Sequence, residues 1–382
     1  SVDDLLAARI RAAGAILIGK TNTPEFGLGS HSYNPVHGVT RNPYDTTKGA
    51  GGSSGGAAAA LAARLVPVAD GSDTMGSLRN PAAFCNVYGF RPSFGLVPRD
   101  PAGEVFLNQI STDGPMARDI RDLALLLDIL AGPAAHDPHS QPRQGSLAQG
   151  LGQPSARGLR IGWIGDWDGY LAMEPEILTL CERALRVLAE TGATVEPLVP
   201  AFDPASLWSA WLTLRSFHNA GSKRNLYVDR ATRRLLKPEL IYEIESGLAV
   251  DAMALHEASV ARSAFFFTMA ELFQAYDAVV LPSAQVFPFA AEQDWPKTIG
   301  DRPMDTYHRW MEVVVPASIL GLPALNVPVG FSTSGLPMGM QLIGPRGTDL
   351  AILRLGQAYH EATDWPGRYP PRVAPSSVAK AP

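Results

Sequence analysis

Two glycine-flanked stretches carry the serines on which covalent chemistry in this chain could rest. The first is Gly51-Gly52-Ser53-Ser54-Gly55-Gly56, and the second is Asp73-Thr74-Met75-Gly76-Ser77, whose serine falls 24 residues after Ser53. Glycines let the backbone enter conformations that a Cβ atom forbids. Ala57-Ala58-Ala59-Ala60-Leu61-Ala62-Ala63 follows the first loop and is strong helix-forming sequence. A glycine loop opening onto a helix offers backbone N–H groups at the positive helix end, which suits an anion or an oxyanion. A nucleophilic serine needs an exposed Oγ, a base, and N–H donors for the developing oxyanion. A strand-to-helix turn at Ser77 supplies the first and third, with the N–H groups of Thr74, Met75, Gly76 and Ser77 directed into one concavity. The chemistry to expect is acyl transfer. A flexible Gly/Ser linker is the plain alternative for the first loop, but linkers rarely run straight into a helix former and an apolar strand. A phosphate-binding loop requires a Lys-Ser/Thr pair after the glycines, and alanines stand there. For the second loop, a helix-capping role for Ser77 fits equally well.

The elements that must position these loops follow from periodicity. Leu65–Ala69 reads as a short buried strand ended by Asp70-Gly71-Ser72-Asp73, and a helix begins near Arg79-Asn80-Pro81. Upstream, residues 2–14 have helical spacing, and Ala15-Ile16-Leu17-Ile18-Gly19 reads as a buried strand. Residues 26–48 form a long loop approaching the site, where His31 and His37 fit hydrogen bonding or substrate contact better than general-base work. Ile120–Leu130 is a leucine-rich helix, and 132–158 reads as a surface linker whose His136 and His139 lack the companions of a metal site. Strand 159–164, helix 175–191 and strand 194–198 form a unit that favours parallel pairing. Residues 204–275 read as helices with core aromatics Trp208, Trp211, Phe217, Phe265, Phe266 and Phe267. The charge run Arg230–Arg234 reads as a wet helix face. Strands at 277–283, 324–329 and 338–343, a helix at 313–319 and a closing helix at 349–363 complete the pattern, and the proline-rich tail from Pro366 reads as extended or disordered.

Composition sets bounds. A chain of 382 residues with 46% apolar residues can bury a large core. Net charge −5 argues against a polyanionic partner such as nucleic acid. No apolar span approaches membrane length, and the start lacks a secretory pattern. Two cysteines, Cys85 and Cys181, fit a reduced compartment, the cytoplasm, better than a disulfide framework, and each reads as a small buried apolar residue.

The motif Gly-Gly-Ser-Ser-Gly-Gly-Ala at 51–57, with Asp73-Thr74-Met75-Gly76-Ser77-Leu78-Arg79 and Pro81-Ala82-Ala83-Phe84-Cys85, closely resembles the amidase signature family. Gly19–Phe26, Gly114–Arg118, Gly321–Ala324 and Gly335–Gly344 add further matches; the middle of the chain matches only in general character. The resemblance implies one α/β domain over 1–365, a mixed β-sheet covered by helices, with 204–275 as a variable substrate-side region. It implies amide hydrolysis through a Ser-Ser-Lys triad, a small-molecule amide substrate, no metal or organic cofactor, and compatibility with a homodimer. Residue by residue, Ser77 is the nucleophile, and Ser53, held by a cis peptide after Gly52, relays the proton. Ser54 supports the loop, and Thr74, Met75, Gly76 and Ser77 form the backbone oxyanion hole. Methionine stands at 75 where the family usually has glycine, which would narrow or reshape the acyl pocket. The resemblance suggests that aromatics of 204–275 line that pocket.

The family's catalytic lysine belongs to a segment that would precede residue 1; Lys20 matches a different family lysine, and Lys48 sits in the approach to the loop. The expectation is therefore a fragment lacking that region, with little or no activity as it stands. Two other readings share the motifs: the A-type subunit of a tRNA-dependent glutamine amidotransferase, and an inactive homologue that only binds ligand.

Overall fold

Three apolar runs, Ala278–Pro282, Ala324–Phe331 and Pro337–Ile343, are buried almost residue for residue. Strands shielded on both faces belong in the middle of a sheet, and these three are adjacent there. The computed structural model describes residues 3–100 and 103–372. Numbering the sheet strands in chain order gives β1 (Val68–Asp73), β2 (Tyr88–Arg91), β3 (Thr112–Ala117), β4 (Arg160–Trp163), β5 (Thr194–Pro197), β6 (Ala278–Pro282), β7 (Ala324–Phe331) and β8 (Pro337–Ile343). Their spatial order is β1-β3-β2-β7-β8-β6-β4-β5. Every neighbouring pair is antiparallel except β4–β5 and β4–β6. The strand–helix–strand unit thus pairs in parallel, and the sheet is mixed.

Helices cover both faces. Leu325 of β7 packs towards Gly356 in the Asp349–Thr363 helix, while the next residue, Asn326, approaches Gly339 and donates to the Val87 carbonyl at 2.9 Å. Successive strand side chains point to opposite faces, so the closing helix and the Arg79–Phe84 helix lie on different sides. The 204–275 region forms a separate helical layer. Pro204–Val228 packs against Pro238–Leu248 and Ala252–Ala275. Its starts are written in sequence: Asp203 caps Ala205 and Ser206, and Asp251 caps Ala254.

Four local expectations need correction. Ala15–Gly19 is not a strand: Ile16, Leu17 and Ile18 are 87%, 41% and 74% exposed. An apolar run becomes a strand only where another edge satisfies its backbone groups, and none of the described strands pairs with it. The strand after the first serine loop starts at Val68 and runs through Asp73, because all six residues pair with Thr112–Ala117; polar Asp70-Gly71-Ser72 ends nothing. Phe266 and Phe267 are exposed, unlike buried Phe265. Trp365–Arg368 forms a short helix with Pro366 buried, so no extended tail begins at 366; the tail from 373 onward lies outside the described residues.

Candidate active site

The Gly52–Ser53 peptide is cis. The loop that carries it is strapped down by the hydroxyls of Ser30 and Ser32. Ser30 Oγ donates to the Gly52 carbonyl at 2.5 Å. Ser32 Oγ donates to the Ser53 carbonyl and accepts from the Gly55 N–H, both at 3.1 Å. Gly52 is required by space: a Cβ there would sit 2.8 Å from the His31 backbone nitrogen. The Gly55–Ala62 helix then leaves directly from the loop. Ser54 ties the two serine loops together, its N–H donating to the Ser77 carbonyl at 3.2 Å.

The second loop is shaped by a buried carboxylate. Asp73, at the end of β1 and 0% exposed, accepts from the Gly76 N–H at 2.9 Å and the Leu78 N–H at 3.2 Å. Arg79 clamps it with Nε and Nη2, both at 3.0 Å, and Arg91 reaches Oδ1 at 3.2 Å. Burial alone would raise the Asp73 carboxyl, but Arg79 first, then Arg91 and the Gly76 N–H, hold it well below the usual carboxylate range. Burial pushes Arg91 down to about 10. Gly76 has φ +79°, and a Cβ there would press on Val314 at 2.9 Å. The turn therefore needs glycine for its path. The N–H of Gly76, expected in the oxyanion hole, is occupied by Asp73. The expected set of four donors reduces to Thr74, Met75 and Ser77.

Ser53 and Ser77, 5% and 8% exposed, open on one cavity of about 190 Å³. Thr74 and Met75 line it too, with Ser72, Ile110, Ser111, Met311 and the Phe26–Gly29 turn. Thr74 Oγ1 and Ser111 Oγ share a hydrogen bond of 2.7 Å. The roof comes from the Pro204–Val228 helix through Arg215, His218, Asn219 and Lys223, with Arg99 at the side. A larger cavity of about 360 Å³ lies alongside and shares Arg99, Ser111 and His218, but neither Ser53 nor Ser77 lines it.

Among the described residues no Trp, Tyr or Phe of 204–275 lines the serine cavity; the phenyl ring there is that of Phe26 in the turn. Trp208 and Trp211 are buried in the main core, and the wall presents cationic and amide side chains instead. Positions 215, 218, 219 and 223 recur at about one helical turn and share a face, but Ser216, Ser222 and Arg224 make the other faces polar too and hide that stripe in the sequence. His31 is buried, with Nε2 at 2.9 Å from the Ala291 carbonyl, and His37 is exposed; neither lines the cavity. His139 packs on Phe94 beside the larger cavity. Cys85 and Cys181 are buried free thiols pushed up by burial. No helix of the described residues is long and apolar enough to cross a membrane.

The match to the family model described as Amidase covers residues 1–353. The A-type subunit of the glutamyl-tRNA(Gln) amidotransferase of Thermus thermophilus is 36% identical over 378 residues, spanning 93% of this chain and 77% of that protein. An acylamidase of Rhodococcus erythropolis is 32% identical over 373 residues, spanning 95% of this chain and 75% of its own. The crystal structure of a bacterial aryl acylamidase of the amidase signature family superposes with a TM-score of 0.91 at 30% identity, covering 98% of this chain and 78% of that one. With the mixed sheet, the family match and these relatives in agreement, the chain belongs to the amidase signature family of amide-hydrolysing enzymes.

Proposed function

We propose that Ser77 is the nucleophile of a free-standing amidase. Its Oγ attacks the amide carbonyl carbon, the C–N bond breaks, and the amine departs with a proton relayed through Ser53. Water then cleaves the seryl ester to release the acid. The observation that carries this is the meeting of Ser53 and Ser77 on one cavity, with Ser54 bonded to the backbone of Ser77. The N–H groups of Thr74, Met75 and Ser77 are assigned to the oxyanion, and Met75 to the narrowing of the acyl pocket.

A serine-directed fluorophosphonate should add one adduct mass, mapped by peptide sequencing to Ser77. Equal labelling of Ser77→Ala would refute the assignment.

The base is the part on which rate depends. Lys20 and Lys48 do not line the cavity; Lys223 does, but its Nζ donates to Asn219 and Ser222. We therefore assign this 382-residue chain a slow acylation, on the order of 10²-fold or more below that of a member with a positioned base.

The similarity to A-type amidotransferase subunits supports a second reading, a glutaminase that works with partner subunits. Co-purification of a partner on which glutamine hydrolysis depends would select it. We further assign the chain to the cytoplasm, on its unpaired buried thiols, and to a homodimer, which sedimentation velocity would test.

A further inference from the structure

The serine cavity has a charge pattern that the expected chemistry does not use. Arg99, Arg215 and Lys223 line it, and no carboxylate does among the described residues, although the chain as a whole carries net charge −5. Two of the three cations carry their own neutraliser. Arg215 Nε donates to Glu243 at 2.6 Å, and Arg99 Nε donates to Asp113 at 3.1 Å. Lys223 differs: both hydrogen-bond partners of its Nζ, Asn219 Oδ1 and Ser222 Oγ at 3.1 Å each, are neutral.

We propose that this enzyme acts on amides whose acyl group bears a carboxylate and no ammonium, and that Lys223, with Arg99 and Arg215 behind it, receives that carboxylate above Ser77. The inference rests on the assignment of Ser77 and names the substrate class of its site.

A half-buried ammonium is costly to keep unpaired, and burial, then Arg215 and Arg99, draw Lys223 below its usual range although Glu243, itself engaged by Arg215, opposes them. The same field reaches His218. Burial first, then Lys223, Arg99 and Arg215, push it down to about 4, so its ring is neutral at pH 7 and adds no charge of its own. A substrate carboxylate would supply the missing counter-charge, and the charge-assisted bond would form where solvent is largely excluded. The cavity volume of about 190 Å³ suits a short dicarboxylic acid monoamide. An amino acid amide is a poorer match, because its ammonium would face the same cations.

The test uses the full chain as Ser77→Ala, so that binding is read without turnover, with succinamate, its shorter neutral analogue butyramide, which has a methyl in place of the carboxylate, and L-glutamine. Calorimetry should find succinamate bound on the order of tenfold more tightly than butyramide, and glutamine more weakly than succinamate. Lys223→Met should bring the succinamate-to-butyramide ratio close to one, and Lys223→Arg should restore part of it. Raising sodium chloride should weaken succinamate and leave butyramide unmoved. Should Lys223→Met fail to fold, Lys223→Arg and the salt titration decide the matter. Butyramide binding as tightly as succinamate, glutamine binding more tightly, or a ratio indifferent to Lys223→Met would each overturn the proposal. The two assignments fail separately. Labelled Ser77 without anion preference sinks only this inference; anion binding without labelling of Ser77 sinks the amidase assignment.

Discussion

The floor and the roof of the cavity are each organised by a buried carboxylate gripped by arginine, and they use it differently. In the floor, Asp73 is held by Arg79 and Arg91, and it also takes the Gly76 and Leu78 N–H groups. Arg79 in turn reaches the Val314 carbonyl at 3.1 Å, Gln341 Oε1 at 2.5 Å and Ser318 Oγ at 2.8 Å. In the roof, Glu243 is held by Arg215 and by the Tyr307 hydroxyl at 2.6 Å, and all three contacts among them are between side chains. Burial would raise Glu243, but Arg215 above all, then His308 and Tyr307, pull it down to about 2. The floor pair shapes backbone, whereas the roof pair joins the Pro204–Val228 and Pro238–Leu248 helices to Tyr307. Charge that shapes a turn has no apolar substitute; charge that joins helices has one.

That difference can be broken by mutation. Removing one partner of a buried pair typically costs about 3–5 kcal/mol, because the other charge is left unpaired. Arg79→Met and Arg215→Met should both fall near that range, Arg79→Met at its upper end because three further acceptors lose their donor. The informative step is the second substitution. Glu243→Met added to Arg215→Met should recover stability to within about 1 kcal/mol of the parent, since well-packed apolar residues can replace a buried pair. Asp73→Asn added to Arg79→Met should recover little, because the Gly76 and Leu78 N–H groups still lack their charged acceptor. Urea unfolding midpoints of the two cycles decide it. Equal recovery at floor and roof would erase the distinction drawn here.

The same contrast explains what could be read from the sequence. The floor was legible because its parts are local. Glycines flank both serines, a helix former follows, and Asp73 lies six residues from Arg79. The helix bounds at Ile120–Leu130 and the parallel strand–helix–strand unit also follow from periodicity alone. The roof was not legible, because Arg215 and Lys223 reach Ser77 only through the packing of a layer some 140 residues further along the chain. The family resemblance suggested aromatics there, but Trp208 and Trp211, on the same stripe of that helix one and two turns before Arg215, are buried in the core. The straps Ser30 and Ser32 sat in a stretch read only as a loop. The Ala15–Gly19 run shows the opposite failure, for apolar content without a pairing edge makes no strand.

Away from the serine cavity, beside Tyr170 and Trp208, Glu312 sharpens the comparison through pH. It accepts from the Tyr170 hydroxyl at 2.9 Å and pairs with Arg309 Nε at 2.9 Å, yet burial wins and pushes its carboxyl up to about 7. Unfolded, it titrates near 4.5. Between those values the folded state binds more protons, so stability from this group falls as pH rises from 4.5 to 7 and stays low above. Glu312→Gln should flatten that slope and raise stability at pH 8 by about 3 kcal/mol relative to its effect at pH 4.5. Paired unfolding curves at the two pH values check it. A stability difference that does not change with pH would mean that Arg309 keeps Glu312 ionised throughout, as Arg215 does for Glu243.

The smallest effect is expected on the outer surface of the roof layer, where Phe267 is 63% exposed and touches Phe266 edge-on at 5.9 Å between ring centres. Phe267→Ala loses that contact and gains helix propensity inside Ala252–Ala275, two terms of a few tenths of a kcal/mol with opposite sign. The net change should stay within about 0.5 kcal/mol, with the melting temperature shifted by no more than about 2 °C. The measurement reports on assembly as well. If Phe267→Ala costs more than about 1.5 kcal/mol, and the loss grows with protein concentration, then a second copy covers this face. The homodimer would then run through the roof, and the cationic helix above Ser77 would be braced from outside as well as from the Arg215–Glu243 pair.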